Sequence, residues 1–144
     1  MKHLLLLPLL ALVLVVTGCG AGDAETNAPQ EVVVTATDLA FDTNRIEVTA
    51  DQPVALTFRN DGALEHDLSI MHIPVEITDT AEEDEAGHDM STMEEMPELH
   101  VSAMPGMSNS LTFTPTEPGE YIFFCTVTGH QDAGMTGTLV VTAP

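Results

Sequence analysis

The chain has 144 residues, of which 23 are acidic and three basic, and its formal net charge at pH 7 is −20. That length leaves room for one domain once a targeting segment is set aside. The acidic balance excludes nucleic-acid binding, which needs basic surface. It also disfavours lying flat on anionic lipid, and protein partners should be basic where they dock.

The N-terminus carries Lys2 and then an apolar run, Leu4–Val16, broken only by Pro8. The run is short for a bilayer-spanning helix and has the flanks of a signal peptide, taken as residues 1–18. Val16-Thr17-Gly18-Cys19 looks like a bacterial lipobox, in which Cys19 is lipid-modified and becomes the mature N-terminus; an ordinary cleaved signal or an uncleaved anchor is the alternative. In each case the domain is exported. Residues 19–30 are small and polar and read as a flexible tether, followed by one domain over residues 31–144. All 23 acidic residues lie beyond Cys19, where Arg45 and Arg59 are the only arginines or lysines.

From Glu31 onward the chain breaks into short runs of Val, Ile, Thr and Phe punctuated by Asn, Asp, Gly and Pro. Strands are expected at Val32–Thr37, Arg45–Thr49, Val54–Arg59, Asp67–Ile73, Leu99–Ala103, Ser110–Thr114, Glu120–Cys125 and Thr136–Thr142. Ile46/Val48 and Val54/Leu56/Phe58 alternate with period two and mark faces turned to a core. Asn60-Asp61-Gly62 and Glu117-Pro118-Gly119 supply turn chemistry. About eight such strands, with no helical periodicity outside the signal, imply an all-β Greek-key β-sandwich.

The chemistry concentrates in Tyr121–Met135, where Cys125, His130 and Met135 are spaced Cys-x4-His-x4-Met on a loop between two strands. Each residue alone has a bland explanation: a small buried hydrophobe, a Gly-His turn, a gap-filling methionine. Together with His66 upstream they supply one thiolate, two imidazoles and one thioether, the donor set of a mononuclear copper site with a weak axial sulfur. If successive strands reverse, His66 before the fourth strand, the Met104–Ser108 turn after the fifth and the Cys125–Met135 loop after the seventh share one end of the sandwich. Redox context agrees. In an exported protein two cysteines normally suggest a disulfide, but lipidation of Cys19 leaves Cys125 without a partner, and a metal would hold it.

This segment resembles the copper loop of the cupredoxins, the blue copper proteins, and its spacing is similar to that of longer-loop members such as the auracyanins and rusticyanin. The resemblance extends over roughly Glu31 to Thr142. It implies one copper ion held by His66, Cys125, His130 and Met135. It further implies that the His130 ring lies near the surface inside an apolar patch through which electrons pass; Met104, Gly106, Met107, Gly129, Ala133 and Gly134 are the candidates for that patch. Alternation in the seventh strand turns Phe123 and Tyr121 inward with Cys125, and Ile122 and Phe124 outward. Phe124 is either a side exit for electrons or packing for a neighbouring loop. Asp67, adjacent to His66, is a candidate to support the ligands by that adjacency alone, and otherwise reads as a surface carboxylate; His72 reads as structural or exposed.

Residues 74–98 depart from a minimal cupredoxin. The stretch Glu76–Glu98 is so acidic that a mobile loop is expected. It contains His88, Met90, Met93 and Met96, with His100 beyond, so a second, weak copper site is one expectation and an acidic docking or solvating loop the other. The function expected is therefore that of a monomeric, lipid-anchored electron carrier outside the cytoplasm, working between redox partners; copper trafficking is the alternative. Oxidase chemistry is disfavoured, because Cys125 is flanked by Phe124 and Thr126 rather than by histidines. A binuclear copper centre would need a second loop cysteine.

Overall fold

The computed structural model describes residues 28–81 and 93–144. Cys19, the signal, most of the tether, His88 and Met90 lie outside the described residues. Among the described residues there are ten strands: β1 (Gln30–Thr37), β2 (Ala40–Phe41), β3 (Arg45–Thr49), β4 (Val54–Asn60), β5 (His66–Ile70), β6 (Val75–Ala81), β7 (Leu99–Ala103), β8 (Ser108–Pro115), β9 (Gly119–Phe124) and β10 (Thr136–Thr142). They make two five-stranded sheets, ordered β2-β1-β4-β8-β6 and β3-β10-β9-β5-β7. The all-β sandwich expected from the sequence is the architecture found. β1 runs parallel to β4 and β3 parallel to β10; the other pairings are antiparallel.

Alternation explains which side chains meet between the sheets. In β4, Val54, Leu56 and Phe58 are buried while the residues between them are less so, and in β10 Gly137, Leu139 and Val141 follow the same rule. Burying an aliphatic or phenyl side chain of this size contributes about 1.5–3 kcal/mol, so this inner layer is what holds the two sheets together. The two-residue β2 carries Phe41, whose ring meets Phe58 and Phe123 edge-on with centroids 6.3 and 5.4 Å away.

Two elements differ from expectation. Pro74–Glu98 is not wholly a loop: Val75–Ala81 pairs antiparallel with β8 as an edge strand, with a register irregularity between Ile77 and Asp79. Its β-branched residues Val75, Ile77, Thr78 and Thr80 favour strand despite the acidic company. The strand expected over Asp67–Ile73 runs instead from His66 to Ile70. Beyond it the chain is taken up by other contacts, the Ile73 amide donating to a Glu98 carboxylate oxygen, so His66 opens a strand rather than ending a turn.

Candidate metal centre

β5 begins where β7 ends, His66 pairing with Ala103, and β9 ends where β10 begins, Phe124 pairing with Thr136. Ser69 of β5 pairs with Phe124 of β9, which brings the two strands side by side. His66 therefore lies at the same end of the sandwich as the Cys125–Met135 loop, as strand reversal predicts. The loop closes on itself through its backbone: the Cys125 amide donates to the Met135 carbonyl at 3.1 Å, and the Met135 amide to the His130 carbonyl at 3.0 Å. All three loop residues are thus fixed relative to one another before any side chain is considered.

The side chains converge. One ligand atom each from His66, Cys125 and His130 lie within 4.8 Å of one another. The Cys125 sulfur is 3.4 Å from Nδ1 of His130 and 4.0 Å from Nδ1 of His66, and the two rings stand with centroids 4.9 Å apart. Metal–sulfur and metal–nitrogen bonds of about 2.3 and 2.0 Å opened to ~120° would separate sulfur from nitrogen by about 3.7 Å, which the two observed separations bracket. Met135 is fully buried beside them. Two imidazoles and a thiolate, with a buried methionine on the same loop, suit copper, because thiolate, thioether and imidazole together serve both of its oxidation states.

Burial sets the electrostatics. Desolvation first, and the Asp67 carboxylate next, push the Cys125 thiol up to about 11. Desolvation and the neighbouring His130 lower the pKa of His66, with Asp38, Asp67 and Glu65 pulling the other way. A histidine whose pKa is lowered by folding binds fewer protons than the unfolded chain below pH ~6.5, so folding stability rises with pH through that window. The metal-free protein is accordingly expected to lose stability as the pH falls below that value, by at most one proton's slope from His66. Urea midpoints measured from pH 7.5 to 5 check this, and a midpoint rising on acidification would contradict it.

His66, Cys125 and Met135 have no solvent contact, whereas His130 keeps 6% of its surface exposed. The loop histidine is thus the donor that reaches the outside. Met104, Gly106, Gly129, Ala133 and Gly134 are exposed around this end and Met107 is half-buried. In β9, Phe123 is buried and Tyr121 half-buried, while Ile122 is exposed. Phe124 is half-buried and, with Met93, lines a surface hollow over Thr126–Gly129.

Several residues matter more than their sequence context suggests. Asp67, expected at the surface, is fully buried. Its carboxylate accepts from the Thr126 amide at 3.0 and 3.1 Å, from the Thr126 hydroxyl at 2.8 Å and from the Ser69 hydroxyl at 2.9 Å. It ties β5 to the residue following Cys125. Asn60, expected in a simple turn, is also fully buried and donates to the carbonyls of Leu64 and Ala103. Its side chain holds the Asp61–Glu65 turn that delivers His66, and Gly62 fits there because a Cβ would sit 3.1 Å from His66 Nε2. Adjacency to His66 is the signal available for Asp67, but alternation alone assigns it to an outer face, and nothing local says that face is covered; Asn60, six residues before His66, carries turn chemistry alone.

Of the insertion's candidate donors, Met93 is half-buried at the copper loop and Met96 is 59% exposed. His100 lies on β7, where its Nδ1 is 2.9 Å from the Ser69 hydroxyl. His72 is exposed, 3.8 Å from Glu95. Among the described residues, the three-donor group at His66, Cys125 and His130 is the one cluster of histidine, cysteine and carboxylate groups close enough to hold a metal ion.

Comparison with known proteins agrees with this geometry. A stretch of 37 residues, 26% of this chain and 16% of the relative, is 54% identical to Auracyanin-B of Chloroflexus aurantiacus, so the aligned part spans a small fraction of that protein's length. The copper-resistant cuproprotein CopI of Rubrivivax gelatinosus is 28% identical over 120 residues, which are 83% of this chain and 70% of that protein. A crystal structure of auracyanin from Roseiflexus castenholzii has the same fold, with a TM-score of 0.60 and 23% identity over 80% of this chain and 98% of the other. Residues 8–141 match the model of the cupredoxin-like domain, and with the sandwich and its histidine–cysteine–histidine cluster this makes the chain a member of the cupredoxin-like family.

Proposed function

We propose that this protein is a blue copper electron carrier, exported and tethered by a lipid on Cys19, that passes single electrons between redox partners outside the cytoplasm. The observation that carries this reading is the closure of the site: four donors of copper-compatible type, three of them without solvent contact and the fourth 6% exposed. Catalytic metal sites keep a position open for substrate, and a closed site favours electron transfer through its ligands. Copper, when bound, supplies a one-electron couple for which thiolate and thioether suit the reduced state and imidazole suits both. The protein's own residues do the rest. The loop backbone holds Cys125, His130 and Met135 in fixed relation, Phe123 excludes water from the inner side, and His130 offers an edge to the surface.

The experiment is to load the purified domain with a cupric salt and record its visible spectrum and voltammogram. An intense charge-transfer band with reversible one-electron redox and retained metal is expected; a colourless protein, or Cys125 found in a disulfide, would overturn the reading. The docking surface is proposed to be the end around His130, acting as a monomer against partners with basic surface. Ala133→Lys, which puts a like charge against such a partner, should then slow electron exchange about tenfold, the effect of ~1.4 kcal/mol at the contact, without altering the spectrum.

Similarity to the copper-resistant cuproprotein CopI favours a second reading, copper trafficking. The Met- and His-bearing insertion, proposed as a second, weak site, adds to it. That reading requires ready surrender of copper to an acceptor protein, which a retained, reversibly cycling ion contradicts. Titrating the metal-free protein with Cu(I) tests the insertion, since a single equivalent bound would leave no room for it.

A further inference from the structure

Asp67 is the one carboxylate among the described residues that is buried, and it stands at the centre of a hydrogen-bonded chain that leads from outside the ligand set to the Cys125 thiol. Its Oδ2 lies 3.8 Å from the Cys125 sulfur and 2.8 Å from the Thr126 hydroxyl, while Oδ1 receives the Ser69 hydroxyl at 2.9 Å. A serine hydroxyl has one hydrogen. With that hydrogen directed to Asp67, the contact at 2.9 Å between Ser69 Oγ and His100 Nδ1 has the histidine nitrogen donating. The chain therefore runs from His100 through Ser69 to Asp67 and ends at the thiol and the first residue of the copper loop. Thr126 brings its amide and hydroxyl, and Ser69 its hydroxyl, so these hydrogen bonds all come to Asp67 from donors, the arrangement that suits an ionised carboxylate.

From this geometry we infer that Asp67 is a positioning residue with a second role: it holds the copper loop to β5 and sets the reduction potential low by keeping a negative charge beside the thiolate. The inference rests on the electron-carrier reading and deepens it. Reduction adds one electron, and so one negative charge, to a site where water cannot screen a neighbouring carboxylate. The oxidised state is favoured as a result. Ser69 acts in the opposite sense, because its hydroxyl offsets part of the carboxylate charge.

The test uses the copper-loaded full chain and two substitutions outside the ligand set. Asp67→Asn keeps the shape and can still accept from Thr126 but removes the charge. Its ratio of Cu(I) to Cu(II) affinity should rise at least about tenfold, which is an upward potential shift of about 59 mV for one electron, with the blue spectrum kept. Ser69→Ala leaves the charge less offset, so its potential should move downward. A loop merely loosened by mutation would move both variants in one direction. Competition of the metal-free variants for Cu(I) and Cu(II) against chelators reads the same ratio without electron exchange, Asp67→Asn weakening Cu(II) binding more than Cu(I). An unchanged or lowered potential in a blue Asp67→Asn protein overturns the inference. If that variant yields no folded protein, Ser69→Ala decides alone, and anything but a downward shift rejects the role. A wild-type protein that is not blue fails the electron-carrier reading itself, a separate result.

Discussion

Cys125→Ser is expected to abolish the intense visible absorption and to weaken copper binding by more than the roughly 10–100-fold typical of losing a partner outside the ligand set. The thiolate is the one anionic donor among the four, and its covalency to the metal is the source of the colour, so two imidazoles and a thioether cannot replace it. The fold should survive. A serine hydroxyl at this fully buried position has Nδ1 of His130, Nδ1 of His66 and the Asp67 carboxylate around it, at 3.4, 4.0 and 3.8 Å from the present sulfur. It is therefore not stranded without a partner, which is what makes burying a polar group costly. Thermal unfolding of the metal-free variant should stay close to that of the metal-free parent, while its copper-loaded form loses the extra stability that ligand binding confers. A Cys125→Ser protein that stays blue would remove the thiolate from the site.

Phe123→Ala is expected to cost about 3–5 kcal/mol of folding stability, the range for deleting a buried phenyl group. The ring is fully buried, makes an edge contact with Phe41 and lies over the backbone of β10, where Gly137 is its Cα partner. A Cβ added at Gly137 would lie 2.2 Å from Phe123 Cζ, inside the ring's own volume. Gly137→Ala alone should therefore destabilise by about 1–3 kcal/mol or more through overpacking. The two changes act on the same space. Their combination should cost clearly less than the sum, since the added methyl group occupies room the phenyl ring has left. Chemical denaturation of the two single variants and the double variant closes this cycle. Simple additivity would mean that Gly137 is small for a reason other than the ring. The pair also bears on the site: Phe123 is two residues from Cys125 on the same face, and the Thr136 hydroxyl donates to the Phe123 carbonyl at 3.1 Å, so a relaxed strand end should broaden the copper spectrum even where binding persists.

Much of the fold was legible because alternation is local. Val54, Leu56 and Phe58, or Leu139 and Val141, declare a buried face within one strand, and a period of two leaves little choice of which residues share it. β6 escaped for the opposite reason. Its Val75, Ile77, Thr78 and Thr80 are good strand residues, but their acidic neighbours made the stretch read as solvated, and only pairing with β8 gives such an edge strand its backbone partners. The ligand set was legible because Cys125, His130 and Met135 are close in the chain. Asp67 was not, since its outer-face position is dry only where the loop after Cys125 folds over it.

The sequence by itself determined the donor atoms, the strand faces and the acidic surface, because each follows from side-chain chemistry and a short-range period. Tertiary structure decided that His66 meets the loop, that Asp67 and Asn60 are buried, and that His130 is the donor that keeps a small solvent exposure. Those outcomes depend on which segments lie across one another. Burial belongs to pairs of distant elements, and no single stretch of chain carries that information.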